Sequence, residues 1–392
     1  MAMLEPKTSD VVLADSSLAG KHIVICLESL ELGGAEQQAL LLARCLREQY
    51  HLNISVVGFS NPGRAADLCD EYGIPWRIIP VTWSGSRLQR IKSLHRLLTT
   101  LRSMAPDILL PYTVIPNLLC GLVWRWTGAQ LCVWNQRDEG RHLSGRRIER
   151  LAAGNASFFL SNSQHGAEFL MQHLGVPRGH TAVVYNGVTP AAPKRSPLEW
   201  RWELGVSDNV LLACMVANIH EYKDHETLLR AWRGVLDRWE GHRDRPVLLL
   251  AGRPHAIHTS LRALAFDLDL GRSVRFLGKV GDISGLLATC HLGVFSSRYE
   301  GCPNGVLECM AAGLPIAATD IPGIREAVGE DGLSYLAPPG DAEALTERIC
   351  TLLGNYVLRS HLGELNRQRI AEHFSPARLC EQTVQHLMEH MQ

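Results

Sequence analysis

The chain has 392 residues, which at roughly 100–200 residues per domain is about two domains with ample core. Hydrophobic residues make up 46%, charged residues 20%, and 39 Lys and Arg nearly cancel 40 Asp and Glu, which excludes a disordered chain and argues against a nucleic-acid partner. That balance conceals an asymmetry: residues 1–190 carry 18 basic against 15 acidic side chains, net +3, and residues 191–392 carry 21 against 25, net −4.

Met1–Gly20 contains four charged residues and no apolar run of signal-peptide length, and reads as a loose tail. From there to residue 188 the chain alternates short apolar runs with amphipathic stretches. His22–Leu27, Asn53–Phe59, Arg77–Ile79, Asp107–Leu110, Leu131–Trp134, Phe158–Asn162 and Ala182–Tyr185 predict strands, with Ala35–Gln49 and Arg87–Met104 among the intervening helices. This alternation predicts a parallel α/β sheet with crossover helices. The longest uncharged apolar stretch, Ile108–Trp124, is interrupted by Pro111, Pro116 and Asn117 and is shorter than the ~20 residues that span a bilayer. It reads as strand, turn and buried helix.

Residues 189–197 pack three prolines into nine positions and suit an interdomain linker. A second alternation follows, with strands Val210–Val216, Val247–Ala251, Val274–Leu277, Leu292–Phe295 and Pro315–Thr319, then a helical tail, Ala342–Gln392. The expected architecture is two open α/β domains facing a cleft, 21–188 and 198–375, with residues 376–392 as a C-terminal helix that crosses back to the first. The 11 cysteines show no C-x2-C or C-x4-C spacing, which suits a reduced, cytoplasmic compartment and no zinc or iron–sulfur framework.

No glycine lies two residues from another, so a G-x-G-x-x-G fingerprint is excluded, and both Gly-Lys pairs lack the following Ser or Thr of a P-loop. The most informative segment is Ser297–Pro315. Its loop follows a strand, where open α/β sheets bind ligands, and Asn304 is a candidate N-cap for a helix of about nine residues that points its positive end into the cleft. Gly301 and Gly305 permit close backbone approach, and free amides there suit a diphosphate. Glu300 in the loop can reach ligand hydroxyls, and Glu308 one turn inside the helix can accept two vicinal hydroxyls. Taken alone, the pair also fits a solvated Glu300 and a Glu308 that merely interacts with the helix dipole.

The segment closely resembles the Glu-x7-Glu donor motif of retaining family-four glycosyltransferases. Leu32-Gly33-Gly34-Ala35-Glu36, Val216–Asp224, Leu250–Pro254, Val274–Gly278 and Thr319–Gly323 match further family segments in order. The resemblance implies the GT-B fold, two Rossmann-like domains facing a central cleft. It also implies retaining transfer from a nucleotide-diphosphate sugar to a saccharide or lipid-linked saccharide, without cofactor or metal. It assigns Glu300 to the donor sugar, Glu308 to the ribose and Lys223 to the leaving diphosphate, with Glu300 and Lys223 as the catalytic pair. Gly33, Gly34, Gly301, Asn304, Gly305 and Val306 would contact the donor, and Lys279 and Val280 would line the base pocket. Two positions depart from the pattern. Asn218 stands where many relatives have an arginine, leaving Arg253 or Arg298 to supply that charge. Leu110–Val114 lacks the usual histidine, leaving Tyr112 or Thr113 to line the site. The fold also hosts nucleotide-sugar epimerases and non-catalytic binding proteins, over which the Glu-x7-Glu segment favours a transferase.

On the acceptor side, Trp134–His142 follows the fifth strand and offers Arg137, Asp138 and His142, as acceptor contacts or as a plain surface turn. From Tyr72 to Pro106 there is no acidic residue, while Arg87, Arg90, Lys92, Arg96 and Arg102 lie on an amphipathic helix. That basic face suits peripheral contact with the inner face of the cytoplasmic membrane, or an ordinary crossover helix.

Overall fold

The computed structural model describes residues 18–189, 191–239 and 244–391; the expected tail up to Ser17 and Pro190 of the linker lie outside them. The first sheet comprises β1 (His22–Leu27), β2 (Asn53–Gly58), β3 (Trp76–Ile78), β4 (Ile108–Pro111), β5 (Leu131–Gln136), β6 (Phe158–Ser161) and β7 (Thr181–Val183), in the order β3-β2-β1-β4-β5-β6-β7. All its ladders are parallel, with Ile25 in register between Val56 and Leu110. Five of the six β1 residues are buried, which is why this strand is a continuous apolar run rather than an alternating one.

Helices α1 (Gly34–Tyr50) and α2 (Arg64–Glu71) cover one face, and α3 (Arg87–Ser103), α4 (Val114–Val123), α5 (Arg147–Asn155) and α6 (Gln164–Leu174) the other. After α7 (Pro197–Leu204) comes the second sheet, β8 (Leu212–Val216), β9 (Val247–Ala251), β10 (Val274–Gly278), β11 (Leu292–Phe295), β12 (Ile316–Thr319) and β13 (Leu336–Ala337), ordered β10-β9-β8-β11-β12-β13. Its helices are α8 (His225–Arg238), α9 (His258–Asp267), α10 (Ile283–Thr289), α11 (Asn304–Ala311), α12 (Pro322–Gly332), α13 (Ala342–Gly354) and α14 (Tyr356–His373); α15 (Pro376–His390) closes the chain. Asp282 ties the connection to the second sheet by accepting from the Lys194 and Arg195 amides and the Trp200 indole, each at 3.1 Å.

Three local features differ from the expectations. β5 runs two residues further, because Asn117 on α4 bonds both the amide and the carbonyl of Asn135, and Gln136 accepts from the Trp134 indole. β13 has two residues, too few to show a pattern. The expected tail is three helices with different destinations. α13 buries Leu345, Ile349 and Leu352 against the second sheet, whereas Leu379, Cys380, Val384 and Leu387 of α15 join the core of the first sheet beside α1. No helix among the described residues is long and apolar enough to cross a membrane.

Candidate active site

Between the two sheets lies a cavity of about 1580 Å³. This exceeds the ~300–1,000 Å³ of a pocket for one small ligand and suits two substrates. Gly33, Gly34, Arg137, Asp138, His142, Asn218, Lys223, Arg253, Lys279, Val280, Glu300, Gly301, Asn304, Gly305 and Glu308 all line it. Tyr112 and Val306 do not: Tyr112 is buried in the core of the first sheet and Val306 in that of the second, because their side chains point away from the cleft. Val306 therefore has only its backbone to offer.

The centre of the site is an ion pair between Lys223 Nζ and a Glu300 carboxylate oxygen, both largely shielded from water. Ser297 donates its hydroxyl to the same oxygen at 2.8 Å. Lys223 ends a short turn whose successor, Asp224, has φ +48° and caps α8 through Thr227, so the backbone fixes where the lysine emerges. Glu300 is fixed from behind. Thr319 donates to the Ser297 carbonyl, and Gly323 of α12 packs directly on the Glu300 and Gly301 carbonyls.

At the start of α11 the structure corrects the sequence reading in one way and adds to it in another. The N-cap is Pro303, not Asn304; it has no side-chain acceptor, so no side chain caps the first amides of the helix. Gly305 lines the cavity and also meets a protein contact: a Cβ there would lie 2.1 Å from the Val216 carbonyl, so only glycine lets α11 sit on the end of β8. Asn304 points across the cleft. It donates to the Gly34 carbonyl at 3.1 Å and accepts from Asn186 at 2.6 Å and Gln38 at 3.4 Å.

Glu308 lies one turn further in. Burial pushes its carboxyl up to about 7, against a smaller opposing effect from a hydrogen bond with Gln37. Across the cleft, the Gly33 amide is donated to Glu36, whose burial raises its carboxyl above the ordinary range, so this amide is already used within the protein.

The two arginines considered as compensating cations differ in position. Arg298 pairs with Asp224 at 2.9 Å, is more than half exposed and is absent from the cavity lining. Arg253 lines the cavity, donates to the Leu32 carbonyl and lies 3.8 Å from Glu31. Asn218 does not carry charge here; its carbonyl oxygen accepts from the Arg253 amide at 3.0 Å and holds that turn.

The acceptor-side candidates separate. His142 is exposed at the cavity rim. Asp138 is engaged in its own turn, accepting from Gln136 and the Gly140 amide. Arg137 lines the cavity and is held from the protein side: it donates to Asn186 at 2.5 Å and lies over the Tyr112 ring, and burial lowers its pKa from the ordinary arginine value.

Sequence reasoning missed Asn186, which also donates to the Cys302 carbonyl at 3.0 Å and so joins Arg137 to the start of α11. The Asn-Gly pair directly before the linker was the available signal. It also missed Tyr222, whose ring receives the Arg141 guanidinium at 3.7 Å from the other domain. A third omission is Glu326, whose carboxylate accepts from the Gln164 and His165 amides at the start of α6.

Two parallel-sheet domains of seven and six strands facing one cavity make up a GT-B architecture. The chain belongs to the family-four, group 1 glycosyltransferases: residues 32–192 match the model described as Glycosyltransferase Family 4, and residues 211–355 the one described as Glycosyl transferases group 1. It is 26% identical over 207 residues to N-acetyl-alpha-D-glucosaminyl L-malate synthase of Bacillus anthracis, covering 53% of each chain. With N-acetylgalactosamine-N,N'-diacetylbacillosaminyl-diphospho-undecaprenol 4-alpha-N-acetylgalactosaminyltransferase of Campylobacter jejuni it shares 23% identity over 234 residues, 59% of this chain and 60% of that one. The match thus spans little more than half the length of these curated relatives. The crystal structure of Anabaena HepE in complex with UDP and glucose superposes with a TM-score of 0.82 at 21% identity, covering 94% of this chain and all of that one.

Proposed function

We propose that this chain transfers a sugar, with retention of configuration, from a nucleotide-diphosphate sugar to a saccharide or lipid-linked saccharide. The observation that carries this reading is the Lys223–Glu300 pair set beside the uncapped start of α11 and the half-buried Glu308. Departure of the diphosphate develops negative charge, which Lys223, Arg253 and the α11 amides are placed to stabilise. Glu300 binds donor-sugar hydroxyls, and Glu308 accepts from the ribose. Lys279 and Val280, following Gly278 at the end of β10, line the base pocket. HepE holding UDP supports a UDP-sugar as donor, and the Campylobacter jejuni relative supports a lipid-linked acceptor. The reading includes turnover without a divalent cation, so excess EDTA leaves the rate unchanged.

A thermal-shift screen across nucleoside diphosphates and their sugars tests the donor half, since a specific ligand raises the melting temperature by mass action. Acceptor-dependent release of free nucleoside diphosphate tests the transfer half. Release without any acceptor dependence would exclude it.

The Glu308 assignment carries its own pH signature. A carboxylate accepts two hydroxyl hydrogen bonds, whereas the protonated acid gives up one acceptor position. With a folded-state value of about 7, donor binding selects the deprotonated form and releases a proton below that pH. Donor affinity is therefore expected to rise from pH 6 to pH 8 by up to about tenfold and then level off. Glu308→Gln should flatten the profile in calorimetric titrations; an unchanged slope in that variant would move the titrating group elsewhere.

A further inference from the structure

Where the two domains meet, charge balances in pairs. Glu300 is held by Lys223, Glu139 pairs with Arg141 at 3.0 Å, and Asp138 is engaged by the Gln136 side chain and the Gly140 amide. One cation is left over. Arg137 lines the cavity, forms no ion pair among the described residues, and donates to a single oxygen, the side-chain carbonyl of Asn186. Its Nε is buried without a partner among the described residues.

Other shielded arginines that lack a carboxylate partner are satisfied differently. Arg201 donates to the Ser207 and Val210 carbonyls, Arg359 to those of Leu352 and Leu353, and Arg369 to those of Ala327 and Glu326. Each ends on two backbone oxygens, and none lines the cavity. Arg137 ends on one neutral amide, which belongs to a neutral network: Asn186 also donates to the Asn304 side chain and the Cys302 carbonyl, and Gln38 donates to Asn304. A positive charge shielded from water among neutral groups is costly to the free protein until a counter-charge arrives. The planar guanidinium fork matches a carboxylate or a phosphate through two parallel hydrogen bonds.

The position of Arg137 bears on which part of a substrate it meets. Its loop packs on Gly301, directly after Glu300: a Cβ on Gly301 would lie 3.1 Å from the Asp138 Cα and 3.2 Å from the Arg137 carbonyl oxygen. Asn186 ties the guanidinium itself to the Cys302 carbonyl. The cation therefore stands beside the loop assigned to the transferred sugar, on the wall contributed by the first domain.

We infer that Arg137 receives a carboxylate or phosphate group carried by a substrate, either on the transferred sugar or on the acceptor that approaches it. The inference rests on the glycosyl-transfer reading and adds a chemical class to it: at least one of the two substrates is anionic beyond the nucleotide.

Calorimetric titration of the full chain with inorganic phosphate, at saturating UDP and constant ionic strength, tests this, because UDP keeps phosphate off the donor diphosphate site. Phosphate is expected to bind the parent chain and to bind Arg137→Gln at least about tenfold more weakly, since a charged hydrogen-bond donor is lost. Arg137→Lys should fall between them, because lysine keeps the charge without the fork. Comparing UDP-glucuronate with UDP-glucose then separates the two sources. Glucuronate binding tighter by at least about tenfold, with the difference lost in Arg137→Gln, puts the anion on the transferred sugar. Equal affinities put it on the acceptor. A parent chain that binds no phosphate beside UDP, or an Arg137→Gln protein that binds it as well as the parent, overturns the proposal. UDP binding is recorded first and alone, so a failure of the glycosyl-transfer reading shows there, whereas a failure of the anion site shows only with phosphate.

Discussion

Lys223→Ala is expected to lower acceptor-dependent release of nucleoside diphosphate by at least about tenfold, with the melting temperature near that of the parent chain. The lysine sits on a turn held by its own backbone, with Asp224 capping α8 through Thr227, so its side chain is not what keeps that segment folded. Its removal takes away the cation nearest Glu300 and leaves that carboxylate with the Ser297 hydroxyl. If Lys223 stabilises departing charge, the loss falls on kcat more than on KM. The double variant with Glu300→Gln should lose less than the sum of the two single losses, because the pair acts as a unit. Full activity in a well-folded Lys223→Ala protein would remove the lysine from the machinery.

The second large effect is expected from a residue that touches no substrate. In Gly323→Ala the new Cβ would lie 2.0 Å from the Gly301 carbonyl oxygen and 2.5 Å from that of Glu300. No L side chain fits there unless α12 or the Glu300 loop moves. Overpacking of this kind costs about 1–3 kcal/mol, or roughly 2–10 °C in melting temperature. The displaced carboxylate should also lower transfer at least tenfold, since small misplacements of a positioned group are costly. The two readouts together are diagnostic: a fall in stability with normal kcat would mean that α12 yields and the loop holds.

Much of the fold was legible because parallel strands buried on both faces are short continuous apolar runs, as in Val247–Ala251 and Leu292–Phe295, whose bounds coincide with the observed elements. The donor-side candidates were legible for another reason: the loop after β11 and the start of α11 are contiguous in sequence, so Glu300, Asn304 and Glu308 are read together. Contacts between domains were not. Asn186 acts on Asn304, Tyr222 on Arg141 and Glu326 on Gln164, partners 81 to 162 positions away, and nothing in their own neighbourhoods encodes that distance. Arg137 is legible as a cleft residue because it follows a strand, but its contacts with buried Tyr112 and with Asn186 are not.

The course of α15 bears on how the chain is made. Leu379, Val384 and Leu387 complete the apolar layer over α1, so the first domain is assembled from two stretches of sequence separated by the whole of the second. During vectorial synthesis the residues ahead of the linker emerge with that layer uncovered, and it stays so until α15 has been made. Termination between the second sheet and α15 would therefore release a protein whose defect lies in the domain made before the second, with the exposed stripe of α1 available to chaperones or to other nascent chains.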